Sequence, residues 1–250
     1  MMTALNKIIF VLIVFCSHNL FSFFNAMMLK NNFYTIDPHW NNVSTLIRCE
    51  NNQLVDVKNK SFTNVGSVVS SVLQSKFGLE ACYFSGSQYL DFSANLDFQM
   101  NTGNFTAEAW VYPASTNLTS IFGSAGRQAG NLDGFGLMLG SGGYGLMGNY
   151  QSALLGYPIP SSFPAANTWS HIALVRTPTL LKIYLNGIEV GTDTISATNY
   201  LNSDRFVVGT LSYAQLNYYY VGYLEELRIT KGIARYTANF VPPVQQFPTR

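Results

Sequence analysis

Charged side chains are scarce in this chain. Lysine, arginine, aspartate and glutamate together make up 11% of the 250 residues, and the formal net charge is +1. A nucleic-acid-binding protein ordinarily carries a stripe of basic residues that neutralises phosphates, and no local run of lysine and arginine provides one here. With 48% hydrophobic residues, the chain also falls outside the disordered class. The composition therefore predicts a folded protein that does not bind nucleic acid.

Long stretches with the helical period are also missing. Aromatic residues instead make up 14% of the chain, with 15 tyrosines and 18 phenylalanines, and Asn, Ser, Thr and Gly are frequent. This mixture is typical of half-buried pleated strands joined by tight turns. From Asp37 onward no Pro/Ser-rich linker or change of composition marks a second domain. We therefore predict one all-β domain over residues 37–250.

The chain has no uninterrupted apolar run of about 20 residues, which a membrane-spanning helix requires. Its N-terminus has Lys7 followed by the shorter apolar run from Ile8 to Phe15. This pattern predicts a signal peptide within residues 1–26, and so a secreted or cell-surface protein. An uncleaved anchor in the same segment is one alternative, and it would be the chain's only link to a membrane. A true start at Met27 or Met28 is the other.

Cysteine is rare, and two of the three cysteines, Cys49 and Cys82, lie beyond the N-terminal segment. Each lies in an apolar, strand-like run. In an oxidising compartment a bridge between neighbouring strands would suit this placement. Two buried free thiols are the alternative, which the sequence slightly favours. Because neither cysteine has a histidine close by in the sequence, we expect neither nucleophilic catalysis nor zinc binding.

Nine short runs rich in β-branched or aromatic residues predict strands, and clusters of Gly, Asn, Ser and Pro separate them. The runs are Val43 to Cys49, Ala81 to Phe84, Tyr89 to Phe92, Phe105 to Tyr112, Gly134 to Leu139, Trp169 to Arg176, Leu180 to Leu185, Phe206 to Gly209 and Val221 to Ile229. Many short strands at such spacing are typical of sandwiches and barrels.

Two of these runs and a Gly-rich stretch predict more detail. Apolar residues alternate from Leu180 to Leu185, and Asn186-Gly187 can supply the positive φ angles of a type I′ turn, which predicts a hairpin. Both faces of the run from Phe105 to Tyr112 carry apolar groups, which predicts a central strand. In the Gly-rich stretch around Ser141 to Gly143, apolar residues alternate and no helix follows. It therefore predicts a Gly-kinked pair of strands and not a phosphate-binding loop.

Several segments together resemble a known family. They are Asp37 to Val43, Phe105 with Trp110 to Pro113, Trp169 to Arg176, the hairpin, and Gly222 to Pro243. These segments are similar to the laminin G-like modules of the concanavalin A-like lectin/glucanase group, of the type found in phage tail, virion and bacterial surface proteins. The resemblance implies a two-sheet antiparallel jelly-roll sandwich.

Glucanases of this group carry acidic residues in a Glu-x-Asp-x-x-Glu strand, where two facing carboxylates cut the sugar chain. That spacing is absent from this sequence. Glu225 and Glu226 are adjacent and are expected to point to opposite faces of their strand, and Glu108 stands alone. His171 lies within an apolar strand and is predicted to be structural. We therefore do not expect an enzyme.

The candidate ligand-binding residues are tyrosines in or beside Gly/Ser/Asn-rich segments, because an exposed tyrosine offers a stacking face and a polar tip. They are Tyr144, Tyr150, Tyr213 and Tyr219. No cofactor is clearly indicated. Calcium is the one metal with some support, since Asn131 and Asp133 can provide the hard oxygen ligands that it prefers.

The sequence thus predicts a non-catalytic recognition or adhesion module whose partner is a carbohydrate or a surface protein. The first alternative is a structural part of a virion or an extracellular assembly, and a glycoside hydrolase is the second. The identity of the ligand and the oligomeric state are left open.

Overall fold

The computed structural model describes residues 36–124, 134–143, 145–148, 154–156, 158–196, 205–210 and 218–250. The signal-like segment 1–26 lies outside these ranges and stays a prediction. No helix in the described ranges is long and apolar enough to cross a membrane.

Strands make up nearly all of the regular structure. They are β1 Val43–Glu50, β2 Gln53–Asp56, β3 Phe62–Val65, β4 Val69–Ser71, β5 Ala81–Ser85, β6 Tyr89–Phe92, β7 Phe105–Pro113, β8 Thr119–Gly123, β9 Gly134–Leu139, β10 Gly145–Gly148, β11 Leu154–Gly156, β12 Ser170–Arg176, β13 Leu180–Leu185, β14 Ile188–Thr194, β15 Phe206–Val208 and β16 Val221–Lys231. Two single-turn 3₁₀ helices, Trp40–Asn42 and Leu96–Phe98, accompany them.

The described strands form two antiparallel sheets. Sheet A has the order β14-β13-β12-β7-β16-β1-β2, and β5, which also pairs with β16, carries β4 on its other side. Sheet B has the order β11-β10-β9-β8-β15-β6-β3. Buried residues of both sheets form one hydrophobic core between them. This is the predicted two-sheet jelly-roll sandwich, and the fold class is confirmed.

Strand β7 shows how the residue pattern builds the sandwich. It lies between β12 and β16, which confirms the predicted central position. Phe105, Ala107, Ala109 and Val111 point into the core, and the residues between them point away from it. We call the surface that points away from the core the outer face of sheet A.

Aromatic rings fill the middle of the core. Phe206 of β15 stacks on Phe98 with ring centroids 5.1 Å apart, and it also contacts Phe92, Phe122 and Phe135 at 5.8 to 6.1 Å. All five rings are fully buried or nearly so. Side chains from strands on both sides of β15 in sheet B therefore meet around one residue of this three-residue strand.

The predicted hairpin is confirmed. Leu185 pairs with Ile188, and Asn186 and Gly187 have φ angles of 49° and 79°, as a type I′ turn requires. Gly187 is needed for a second reason. Its carbonyl oxygen accepts a hydrogen bond from the Phe240 amide, and a Cβ atom there would overlap the Phe240 carbonyl oxygen. The predicted Gly-kinked pair is also found, as β9 and β10.

Cys49 and Cys82 are joined by a disulfide, so the slightly favoured free-thiol interpretation is wrong. Strand β16 pairs first with β5 and then, further along, with β1, and this brings the two cysteines to the same side of it. Both side chains are buried in the core. Sequence reasoning offered the bridge as an alternative but could not decide for it, because the contact depends on a partner strand far away in the chain.

Breaking this disulfide is expected to lower the free energy of unfolding by about 3 kcal/mol, since the bridge closes a loop of 33 residues in the unfolded chain. Urea unfolding with and without a reductant measures the loss. The C49A/C82A double variant is the control, because the reductant has nothing to reduce in it. Equal urea midpoints for the oxidised and reduced protein would contradict the prediction.

Candidate functional site

Along β7, the side chains on the outer face of sheet A change from completely buried to half-buried. Thr106 and Glu108 are completely buried, Trp110 is 6% exposed, and Tyr112 is half-buried. Since all four point to the same face, this difference shows that other parts of the chain cover one end of the face and leave the other end open.

A buried network of charges occupies the covered end. Arg228 donates from Nε and Nη2 to Oε1 of Glu108, at 3.0 and 2.7 Å, and from Nη1 to Oδ2 of Asp37, at 3.0 Å. Arg235 donates from Nη1 and Nη2 to the same Asp37 carboxylate, at 3.0 and 2.7 Å. The network thus joins β7 and β16 to the segments that precede β1 and follow β16.

His171 and Tyr236 complete the surroundings of Glu108. The Tyr236 hydroxyl donates to Oε2 of Glu108 at 2.7 Å, and Nε2 of His171 lies 3.2 Å from the same oxygen. The His171 ring is fully buried and contacts the rings of Trp110 and Phe240 edge-on. This environment confirms the structural role predicted for His171.

Electrostatics hold both carboxylates of the network in their charged form. Burial alone would raise the pKa of Glu108, but the Arg228 guanidinium and the contact with His171 outweigh it and hold the pKa below its ordinary value. The pKa of Asp37 is lowered in the same way, because its bonds from Arg235 and the His39 amide outweigh burial. A glycosidase needs one carboxyl group that holds a proton with a raised pKa, and the pKa values of both of these carboxylates are lowered.

Because of these lowered pKa values, we expect the protein to lose stability in acid. The stabilisation is present above the ordinary pKa values of 4.5 and 3.8 and is lost as the pH falls below them. Glu225 acts in the opposite direction, since burial raises its pKa despite two bonds from backbone amides. Urea unfolding between pH 7 and pH 3 measures the net change in the free energy of unfolding.

The Glu108→Gln variant is the control for this acid effect. It has no carboxylate that can take up a proton at this position, so its stability should fall less steeply below pH 4.5 than that of the unchanged protein. Identical slopes for the two proteins would contradict the assignment of the acid effect to Glu108.

Glu225 and Glu226 correct the sequence-based expectation. Leu224 and Leu227 both pack in the core, the pairing register shifts between Glu225 and Arg228, and Glu226 has a φ of 53°. These are the marks of a β-bulge, which places both glutamates on the outer face. The expectation that they point to opposite faces is therefore wrong.

Each of these glutamates holds a covering segment on the sheet. The Glu225 carboxylate accepts from the amides of Lys76 and Phe77, at 2.7 and 3.1 Å. Glu226 accepts from the Arg48 side chain and from the Phe247 amide, at 2.5 to 3.0 Å. The bulge thus fastens both the loop before β5 and the C-terminal segment, residues 232–250.

Aromatic contacts complete the cover. In the C-terminal segment, Tyr236 and Phe240 stack 3.6 Å apart beside Tyr184, and Phe247 lies 3.6 Å above the Arg228 guanidinium. In the loop before β5, the ring of Phe77 packs edge-on against Trp110. Lys76 places its ammonium group 4.1 Å from the same ring.

Beyond this cover lies a line of half-buried rings, which we call the aromatic row: Tyr83, Tyr223, Tyr112 and Trp169. Tyr83 pairs with Tyr223, and Tyr223 pairs with Tyr112. The pairing of Ser170 with Val111 places Trp169 opposite Tyr112. Successive ring centroids are 4.9, 5.9 and 5.6 Å apart. The row therefore crosses β5, β16 and β7 and ends just before β12.

Apolar groups extend the row at one end. Val69 of the edge strand β4 lies opposite Tyr83 and is 46% exposed. In the loop that follows, Val72, Leu73 and Leu79 are 70 to 86% exposed. Contiguous exposed apolar groups are common at surfaces that bind ligands or other proteins.

Of the four tyrosines predicted to bind ligand, Tyr219 lies within the residues that the structure describes. It is half-buried beside Tyr89 of sheet B, with ring centroids 6.3 Å apart, and it does not belong to the aromatic row. The neighbouring Tyr220 is fully buried, and its hydroxyl donates to the Tyr223 carbonyl oxygen. The other predicted site residues, Tyr144, Tyr150, Tyr213, Asn131 and Asp133, lie outside the described residues.

The residues within the described ranges contain no group of three or more His, Cys, Asp or Glu that could hold a metal ion. This search does not reach Asn131 and Asp133, so the calcium site stays a prediction.

Sequence reasoning missed the aromatic row. The signal was present, because Tyr112 and Tyr223 each alternate with a core residue in a predicted strand. Which rings become neighbours depends on the register of strands far apart in the chain, and alternation within one strand does not reveal that.

Comparison with solved structures shows the same fold in binding domains. The binding domain of Paraclostridial Mosquitocidal Protein 1 matches with a TM-score of 0.57 and 12% identity, over 78% of this chain and 50% of that one. The binding domain of botulinum neurotoxin DC, solved in complex with SialylT, matches with a TM-score of 0.54 and 12% identity, over 78% of this chain and 49% of that one. This chain thus spans about half the length of these toxin domains.

A third structure is matched over most of its length. It is domain 4 of AbnA, an extracellular arabinanase of family GH43 from Geobacillus stearothermophilus, in complex with arabinotriose. The TM-score is 0.57 and the identity 18%, over 76% of this chain and 92% of that one. No curated protein matches the chain in sequence.

A match to the sequence model of a protein family shows which family the chain belongs to. The model Laminin_G_3, described as concanavalin A-like lectin/glucanases superfamily, matches residues 84–234, which is more than half of the chain. The matched stretch runs from β5 through the end of β16 and includes most of both sheets. The chain belongs to this laminin G-like family of the concanavalin A-like lectin/glucanase superfamily.

Proposed function

We propose that the chain is a non-catalytic recognition module that binds carbohydrate at a cell or particle surface. The aromatic row is the observation that carries this proposal. Tyrosine and tryptophan rings stack on the apolar C–H faces of sugars, and tyrosine hydroxyls bond to sugar hydroxyls. Four such rings in line on an accessible face can together hold a ligand that each would bind weakly alone.

The structural neighbours support a carbohydrate ligand. The arabinanase domain was solved with arabinotriose, and one of the neurotoxin binding domains with SialylT. In the proposal, residues 37–250 form the module and residues 1–26 direct its export. Tyr144, Tyr150, Tyr213 and Tyr219 are proposed as further ligand contacts, and Asn131 with Asp133 as a calcium site.

A structural role in a virion or an extracellular assembly is the second candidate. It is favoured by the exposed Val72, Leu73 and Leu79, which another protein chain would cover. In that case the protein should co-purify with particles or form a stable oligomer by size-exclusion chromatography. A monomer that binds glycans supports the first proposal over this one.

A glycan array with the purified protein tests the proposal. We expect binding to at least one class of glycan and a loss of binding in Tyr112→Ala. Val244→Ala is the matched control, because Val244 is 83% exposed and lies on the C-terminal segment. Failure to bind any glycan would refute the proposed function.

The same array with EDTA tests calcium. Weaker binding in EDTA that added calcium restores would support the site at Asn131 and Asp133. Equal binding with and without EDTA would remove calcium from the proposal.

A further inference from the structure

The geometry of the aromatic row points to a particular class of carbohydrate. We propose that the row binds a single soluble, uncharged polysaccharide chain laid across the strands, with about one sugar unit to each ring. This inference rests on the proposed carbohydrate-binding function and names the ligand class of the same site.

The spacing of the rings favours an extended chain over a single sugar. Neighbouring strands lie about 4.8 Å apart, so rings on four successive strands span about 14 Å. The observed steps between ring centroids, 4.9 to 5.9 Å, are close to one sugar unit with its glycosidic oxygen. A single sugar would contact one or two rings, whereas a chain of four units would reach all of them.

The angles between the rings favour a soluble chain over a crystalline surface. The planes of Tyr83 and Tyr223 meet at 39°, those of Tyr223 and Tyr112 at 80°, and those of Tyr112 and Trp169 at 56°. A crystalline polysaccharide presents a flat face, which only coplanar rings can contact together. A free chain can twist from one unit to the next and follow these rings.

The charges around the row favour an uncharged ligand. None of its four side chains is a carboxylate, an ammonium or a guanidinium group. One step further along the strands, Glu225 pairs with Trp110, and its carboxylate is bonded to two backbone amides. The ammonium group of Lys76 lies over the Trp110 ring. Since this ammonium group already contacts the Trp110 ring, a sulfated or sialylated glycan would lose hydration without gaining it as a free partner.

The test uses oligosaccharides of one to six units from arabinan, xylan, β-1,3-glucan and mannan, measured by titration calorimetry. For at least one series we expect Kd to fall with each added unit and to level off at about four units. Tyr112→Ala and Tyr223→Ala should each weaken binding of the tetramer about tenfold or more. Tyr112→Phe should weaken binding of the tetramer less than Tyr112→Ala, because it keeps the ring.

Controls separate folding from binding. Val244→Ala should leave Kd unchanged, and the urea midpoint of each variant shows whether it is folded. A folded Tyr112→Ala variant with the original Kd would overturn the inference. Pull-down on microcrystalline cellulose and titration with heparin and sialylated glycans complete the set, and we expect little binding to any of these three.

The outcomes distinguish this inference from the proposed function. If a monosaccharide binds as tightly as the tetramer, or if only charged or crystalline carbohydrates bind, the ligand class is wrong and carbohydrate binding stands. If no carbohydrate binds at all, both fail.

Discussion

Replacing Glu108 by alanine is expected to lower the free energy of unfolding by about 3 to 5 kcal/mol, because it leaves the buried Arg228 guanidinium short of a partner. Arg228 and Glu108 are 4% and 0% exposed at their side chains, so water cannot take the place of the lost carboxylate. Asp37 alone would then have to balance both Arg228 and Arg235. Urea unfolding at pH 7 measures the loss.

The control is an ion pair on the same sheet whose side chains are partly exposed to solvent. Lys182 and Glu189 lie 2.8 Å apart and keep 13% and 30% of their side chains exposed. Glu189→Ala should therefore cost less than about 1 kcal/mol. If Glu108→Ala were no more destabilising than Glu189→Ala, the network would not be what holds the C-terminal segment to the sheet.

Replacing Phe206 by alanine is expected to cost about 3 to 5 kcal/mol, because the other rings around it cannot collapse into the space left. Phe206 is completely buried and contacts Phe92, Phe98, Phe122 and Phe135. Strand β15 has only three residues, so few other contacts replace those of this side chain. Thermal and urea unfolding both report the change.

Phe62→Ala is the matched control for this prediction. Phe62 packs on Phe92 from the edge strand β3 and is only partly buried. Water can fill the space that it leaves, so the loss should be clearly smaller than for Phe206→Ala. Equal losses for the two variants would show that the core is not centred on Phe206.

The sequence predicted the elements whose causes are local. The Asn186-Gly187 turn and the alternation beside it are enough to build a hairpin, since both strands lie within 15 residues. The alternation from Phe105 to Tyr112 likewise placed a central strand. Short strands with few apolar residues, such as Phe62–Val65 and Val69–Ser71, escaped prediction because they are defined mainly by their neighbours.

What the sequence could not predict depends on pairing between distant strands. The register of β5, β16, β7 and β12 decides that four separate aromatic residues form one row. The bulge at Glu226 reverses the expected direction of one glutamate, and its marks, a shifted pairing register and a left-handed backbone angle, are visible only in the structure. Glu108 looked isolated because its partners, His171, Arg228 and Tyr236, are all far from it in the chain.

The pairing of β1 with β16 also determines when the domain can fold. Arg48 of β1 and Glu226 of β16, which bond to each other, are 178 residues apart. A ribosome makes β16 long after β1, so one edge of β1 stays without its partner strand while the residues between the two strands are synthesised. We therefore expect folding to be slow and to wait until β16 has been synthesised, with the nascent chain dependent on chaperones until then.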